Sequence, residues 1–384
     1  MSGKKQIIEV DSLPVDIQTG ATYTIKQANP NSYTHGMFKY PCKFVPEIPR
    51  WGIKTYLPEK KGVIFDPFSG SGTTLLEANV NGVDAYGTEI DDIAKLIIKV
   101  KTTVLSATQI EVLDSFCLKI VNIIRQEDAQ LFIPKIKNLE HWFSENTINE
   151  LGRMKVFIDH IQDENIRDFF KVCMVSIIKR VSNADDTSPK PYVSNKVIKV
   201  PPTVEKEFTS VFRRYRQMIQ ELSSVENMGS TEIIQGDALE FSVPAGIDLA
   251  ITSPPYINAF DYGRTMRLEN LWLATLTEEM LREKKSQYVG TEKINTKKEK
   301  DRLDILKKSD LLKSYYSKIV VQDEKRALIV KKFFEDMEEN LSCVYSQMNI
   351  GGKYVVVIGN SMIRKVHVES WRVIEEIANK IGFK

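Results

Sequence analysis

Residues 61–91 read KGVIFDPFSGSGTTLLEANVNGVDAYGTEID, and this stretch decides the fold class. Val63, Ile64 and Phe65 form a short apolar run of the kind that makes a buried strand. Asp66-Pro67-Phe68 ends it. Ser69-Gly70-Ser71-Gly72 then makes a tight turn in which the backbone can approach a ligand closely. From Thr73, TTLLEANV reads as a helix whose first amides point back into a pocket. A second strand, Val83 to Thr88, ends in Glu89. Two nucleotide-binding loops are excluded. A phosphate loop needs Lys after its last glycine, where Thr73 stands. A dinucleotide fingerprint needs a third glycine where Leu75 stands. An acid about twenty residues after such a turn can take ribose hydroxyls, which makes Glu89 a candidate against the plainer reading of a solvent-facing side chain.

The second informative stretch is Asp248 to Tyr256, DLAITSPPY. Leu249, Ala250 and Ile251 suit a buried strand. Neither proline can donate to a sheet ladder, each fixes its own φ, and each pushes its predecessor toward extended geometry. The result is a stiff corner at the carboxyl end of a strand, the end at which open α/β sheets bind ligands. It presents Ser253, the carbonyls near Pro254, and the ring of Tyr256.

The tetrad Ser253-Pro254-Pro255-Tyr256 resembles the catalytic motif of the DNA amino-methyltransferases, and DPFSGSGTT resembles their glycine-rich motif. The serine-headed form looks like the cytosine-N4 branch; the adenine-N6 branch more often begins with Asp or Asn. The resemblance implies a Rossmann-like, S-adenosylmethionine-dependent α/β methyltransferase sheet with a helical insertion. It implies that Asp66, Pro67, Phe68, Gly70, Gly72 and Thr73 lie around the methionine part of S-adenosyl-L-methionine. Glu89 would hold the ribose, and Asp237 with Ala238, at the end of a strand beginning at Thr231, would meet the adenine. An H-x-x-K-[FY]-type arm, matched by His35, Lys39, Phe44 and Pro46, would wall the cofactor pocket. The stretch after the tetrad, with Asp261, Tyr262, Arg264 and Arg267, fits loosely a Y-x-x-x-x-R-L-E-like segment that closes over the site. Catalysis would rest on Ser253, Pro254, Pro255 and Tyr256, with no metal and no covalent intermediate. Pro41-Cys42 brings to mind the thiolate of cytosine-C5 enzymes, but it precedes the glycine loop instead of following it; packing is the better reading of Cys42.

The order of these motifs divides the chain. Residues 1–105 carry the N-terminal arm and the cofactor loop. Residues 106–228 read as a helical insertion, with three- and four-residue apolar spacing in QIEVLDSFCLKIVNIIRQ and NIRDFFKVCMVSIIKRVS. Residues 229–384 carry the second half of the sheet and the tetrad. Two segments compete for base recognition: the polar loop 182–199, which is otherwise a linker, and the basic stretch 281–332, which is otherwise a solvated helical face. Near the end, NIGGKY reads as a turn before a strand from Tyr354 to Ile358, and the chain stops at Gly382-Phe383 before further edge strands would be expected.

Net charge is only +2 over 384 residues, so the total does not announce a nucleic-acid binder; the distribution has to. The four cysteines have no paired spacing, which argues against a zinc ribbon or a disulfide framework. No apolar run reaches the length of a signal or membrane segment. A cytoplasmic, nucleoid-associated enzyme acting on double-stranded DNA is expected, with a cognate restriction endonuclease as a further partner. An adenine-N6 DNA or RNA guanine amino-methyltransferase, and a catalytically silent DNA-recognition subunit, are the alternatives.

Overall fold

The computed structural model describes residues 7–10, 12–14, 16–18, 20–25, 31–43, 45–196, 198–257 and 262–384, with residues 7 and 262 described by backbone alone. Strands β1 (Ile7–Val10) and β2 (Thr22–Ile25) pair in a separate parallel ribbon. The main sheet comprises β3 (Val63–Asp66), β4 (Asp84–Gly87), β5 (Thr231–Ile233), β6 (Ile247–Thr252) and β7 (Met348–Val356). Their order is β5-β4-β3-β6-β7, and every pairing is parallel. This is the Rossmann-like α/β sheet expected from the sequence. Ile64, Phe65, Leu249, Ala250 and Ile251 are all fully buried, as strands covered by helices on both faces require. Strands β8 (Ser361–Ile363) and β9 (Val366–Val368) form an antiparallel hairpin after β7.

The strand order fixes where a ligand can go. From β3 the chain moves outward through β4 to β5, then crosses to the other side of β3 to lay down β6. The reversal falls between β3 and β6, whose registers pair Ile64 with Leu249 and Phe65 with Ala250. A crevice opens outside the carboxyl ends of strands at such a switch point. The glycine turn leaves β3 there, and the proline corner leaves β6 there.

Between the helix Asp92–Thr102 and β5 the chain is helical: Ala107–Arg125, Glu145–Asp159, Glu164–Val181 and Val204–Ser223 are the long elements. Ser106, Ser144, Asp163 and Thr203 each cap one of them by accepting a backbone N–H. Phe170 and Phe212 stack at 5.8 Å with an 8° interplanar angle. The same apolar core includes Ile93 and Ile97 of Asp92–Thr102 and Leu268, Leu271 and Trp272 beyond the tetrad. The inserted helices are therefore fused onto the sheet's own helical layer.

The NIGGKY turn is a correction. It lies inside β7, where the register jumps from Ile247↔Met348 to Leu249↔Lys353. Gly351, at φ +84°, supplies the left-handed residue that lets a bulge absorb the extra chain.

Glu269, 4% exposed on the helix Arg267–Leu273, has a carboxylate oxygen without a hydrogen-bond partner among the described residues. Burial pushes its pKa up to about 7, against a smaller downward pull from the Lys179 ammonium. The folded protein thus holds this proton more tightly than the unfolded chain, so stability falls as pH rises from 4.5 to about 7, and the whole penalty is present above that. Glu269→Gln is expected to stabilise the fold near pH 8, by up to roughly 3 kcal/mol, and to be almost neutral near pH 5. Thermal denaturation at the two pH values checks this; equal shifts at both would contradict it.

Candidate active site

The two motifs are joined beneath their surface. Asp66, fully buried at the end of β3, accepts through Oδ1 from the Thr252 hydroxyl at 2.6 Å and from the Phe68 amide at 3.1 Å. One carboxylate therefore ties the last residue of β6 to the start of the glycine turn. Burial pushes it up to about 6. The turn is held from three other directions. The Ser69 hydroxyl donates to the Asp66 carbonyl at 2.8 Å, the Ser69 amide donates to the Thr88 carbonyl at 3.2 Å, and buried Lys101 donates to the Ser71 carbonyl at 2.7 Å. Gly70 and Gly72 sit at φ +51° and +75°. A Cβ on Gly72 would stand 2.9 Å from Ile98 Cγ1, so both the backbone and the space there demand glycine.

Glu89 closes the turn from above. Its Oε2 accepts from the Gly70 amide at 2.8 Å, and its Oε1 accepts from the amides of Ile90 and Asp91 at 2.8 Å each. Burial, with Asp91 beside it, pushes the carboxyl up to about 7 despite these three donors.

A crevice open to solvent, enclosing about 810 Å³ with its solvent-filled mouth included, lies above these groups. Gly70, Glu89, Asp237 and Ser253 all line it, so stretches from three strand ends and the proline corner converge on one space. Pro67, Phe68, Thr73, Ala238 and Pro255 also face it. Ser71 lines the cavity, and its hydroxyl is buried without a partner among the described residues. An unsatisfied hydroxyl, a carboxylate held by three amides and a glycine cradle make a donor and acceptor set suited to a polar, nucleoside-sized ligand.

Other expected residues lie elsewhere. Asp66 and Gly72 are one layer down, supporting the turn. Pro254 is buried outside the lining, and Tyr256 is also outside it, 39% exposed. The Tyr256 ring lies against Gly359, where a Cβ would come within 3.2 Å of it. His35 and Lys39 do not wall the cavity, which corrects the expectation for the arm. His35 is fully buried with Nε2 2.9 Å from Glu77, a carboxylate that Arg50 also grips, and burial pushes the imidazole down to about 4. It is a neutral structural group. Lys39 is exposed. The physical reason is a kink: Phe38 and Cys42 both take positive φ, Phe38 packs into the helical core, and its amide donates to the Tyr215 hydroxyl at 2.7 Å. Tyr40 to Lys43 then face the cavity instead. Burial pushes the Cys42 thiol up, the wrong direction for a nucleophile. Pro46 precedes the helix Glu47–Tyr56. Phe44, Asp261 and the side chain of Tyr262 lie outside the described residues. Asp237 accepts from the Leu239 amide at 2.7 Å, which fixes the turn after β5.

The basic stretch 281–332 is less free than its charge suggests. Lys300 pairs with Glu324, Arg326 with Glu292, Lys331 with Glu299 and Glu335, and Lys308 and Lys332 are held by Glu338 and Asp336. Lys297, Lys298, Lys313 and Lys318 are exposed. Its tyrosines turn inward: Tyr315 is buried, Tyr316 packs on the C-terminal core, and Tyr288 lines the cavity. The sequence offers Tyr288, with Tyr315 and Tyr316, only as an aromatic of the basic stretch beside phosphate contacts, and nothing in it marks Tyr40 or Lys101 as site residues. No helix among the described residues is long and apolar enough to cross a membrane, and no group of acidic, His or Cys side chains among them has the arrangement of a metal site.

The DNA methylase family model matches residues 3–99, the arm and the cofactor-loop unit. Along nearly the whole chain the protein is similar to the type II methyltransferase M.MvaI of Kocuria varians, 25% identical over 97% of this chain and 87% of that protein. It is also similar to M.BsoBI of Geobacillus stearothermophilus, 28% identical over 67% of this chain and 56% of that protein. M.AvaI of Nostoc sp. is 21% identical over 93% of this chain and 80% of that protein. No solved structure matches the chain. With the glycine turn, Glu89 and the proline corner around one cavity, these likenesses support a DNA amino-methyltransferase family, of the N4/N6 type, for this chain.

Proposed function

We propose that the protein transfers a methyl group from S-adenosylmethionine to the N4 amino group of a cytosine flipped out of duplex DNA, as the modification half of a type II restriction–modification system. The observation that carries this reading is the shared cavity: Gly70 and Glu89 on one wall, Ser253 and Pro255 on the other. The serine head of the tetrad favours N4 over N6, and the type II relatives support the restriction–modification setting.

When bound, S-adenosylmethionine supplies an electrophilic methyl on a sulfonium. The protein's share is recognition and positioning. Glu89 would accept the ribose hydroxyls, and Ser71 and Thr73, which line the cavity beside the turn, would border the amino-acid end. The cytosine amino nitrogen is a weak nucleophile because its lone pair is delocalised into the ring. The Ser253 hydroxyl and the Pro254 carbonyl accept its two hydrogens, which favours a pyramidal nitrogen with its lone pair directed across the cavity. The Tyr256 ring, open to solvent, stacks on the extruded base. Such stacking is worth ~1–3 kcal/mol, comparable with the cost of unstacking one base. Positioning of this kind can remove up to roughly 7 to 11 kcal/mol from a bimolecular barrier.

Nucleoside mass spectrometry of DNA from cells expressing the protein tests the assignment. N4-methylcytosine is the expected product. N6-methyladenine would move the protein to the other branch, and unmodified DNA from a protein that binds no cofactor would leave a recognition subunit.

A further inference from the structure

The segment after the helix Glu278–Lys284 crosses the mouth of the cavity. Gln287, Tyr288 and Val289 all line it, although they lie well beyond the tetrad in sequence. Two contacts fasten this segment to the helix that begins just after Glu89. The Tyr288 hydroxyl donates to Asp91 Oδ2 at 3.2 Å, while Asp91 Oδ1 caps that helix by accepting from the Ala94 amide at 3.0 Å. One residue further, Asp92 Oδ2 accepts from Lys284 Nζ at 3.2 Å. On its other side the segment is seated in a different core: Val289 is buried with Ile305, Leu312 and Phe334. Gly290, at φ +76°, turns the chain, and the Lys293 ammonium returns to the Arg282 carbonyl at 2.7 Å. The strap is thus the short link between the acid at the end of β4 and the lysine-bearing helices Thr296–Lys300 and Asp310–Val320.

We propose that Tyr288 is a cofactor-contacting residue, and that the strap 284–289 couples occupancy of the cavity to DNA binding by the lysine-rich segment behind it. The inference rests on the function proposed above. A ligand held through Glu89 lies beside the Tyr288 ring, because both residues line the same cavity. The protonated tyrosine hydroxyl donates to Asp91 and holds the strap in place. Contact between ring and ligand favours the fastened strap, and the fastened strap fixes where the lysines of 297–318 stand. Binding linkage is reciprocal, so duplex DNA on those lysines must tighten the cofactor by the same factor that the cofactor tightens DNA.

The test uses the full chain, S-adenosylhomocysteine as an inert cofactor probe, and a fluorescent random-sequence duplex. In the wild type, saturating S-adenosylhomocysteine is expected to strengthen duplex binding by about 5- to 150-fold, the usual span of such couplings. Tyr288→Ala is expected to weaken S-adenosylhomocysteine binding about 5- to 150-fold, the span of one lost stacking contact, and to abolish the coupling. Tyr288→Phe, which keeps the ring but loses the Asp91 bond, is expected to restore cofactor affinity to within about threefold while the coupling stays reduced. Asp92→Ala, outside the cavity, should reduce the coupling with cofactor affinity unchanged. A merely structural role for Tyr288 would not separate the two readouts in this way. A wild type that binds the probe, with Tyr288→Ala binding it equally well or with no coupling to DNA, overturns the inference alone. A wild type that does not bind the probe overturns the proposed function and the inference with it.

Discussion

Ser253→Ala is expected to lower kcat by about 100- to 1,000-fold, the range found when one preorganised polar contact to a reacting group is removed, and to leave cofactor affinity within about threefold. The substitution is chemically clean because the corner does not depend on the Ser253 side chain. Thr252 is held by its hydroxyl on Asp66 at 2.6 Å and by its carbonyl, which accepts from the Val357 amide at 2.8 Å. Two prolines then set the direction of the chain. The variant therefore loses an acceptor for an amino hydrogen and keeps its geometry. Tyr256→Ala gives a companion result: its ring is outside the cavity lining, so it should also lose activity in excess of cofactor affinity. Single-turnover methylation at saturating cofactor, with calorimetric cofactor binding alongside, checks both. Loss of rate and of cofactor affinity in equal measure would remove these residues from the base side of the site.

Glu89→Ala is expected to weaken cofactor binding by about 100-fold or more, since each hydrogen bond to a charged group contributes ~1.5–3 kcal/mol and the side chain also anchors the Gly70 amide. Its protonation makes a sharper test. Burial raises the Glu89 pKa to about 7, so the ligand-free site is largely protonated at pH 6 and ionised at pH 8. Ribose hydroxyls donate better to a carboxylate than to a carboxylic acid. Cofactor affinity of the wild type should therefore rise between pH 6 and pH 8, and Glu89→Gln should flatten that rise. Stability moves the other way. A raised folded-state pKa means that Glu89 costs stability as pH rises from 4.5 to about 7, so the ligand-free wild type should lose stability over that range, and Glu89→Gln should remove that pH dependence while weakening cofactor binding. Opposite signs in the two measurements identify a residue kept for function. A Gln variant that is destabilised at pH 8 and binds cofactor normally would identify a structural one.

The expected N4-methylcytosine product and the pH-dependent gain from Glu269→Gln follow from different parts of the chain. The first depends on the corner after β6, the second on a carboxylate buried where the inserted helices meet the sheet layer.

The sequence by itself determined the βαβ unit, the glycine turn, the acid after β4 and the proline corner. Each is dictated locally: glycine where φ must be positive, proline where an amide must be absent, apolar runs where a parallel strand is covered on both faces. The inserted helices were also visible, because apolar spacing and cap residues are written into neighbouring positions. Only the tertiary structure decided which of these groups share a cavity and which polar residues serve the fold. His35 looked like a pocket residue because its partners, Glu77 and Arg50, cannot be paired with it by reading along the chain. The charge of 281–332 looked available until its ion pairs were formed, and Tyr288 read as an aromatic of that basic stretch until Asp91, 197 positions away, was placed beneath its hydroxyl. The physical reason is the range of the forces involved. Backbone conformation is set by a residue and its neighbours, whereas burial, desolvation and hydrogen-bond partnership are set by whatever the sheet order brings alongside.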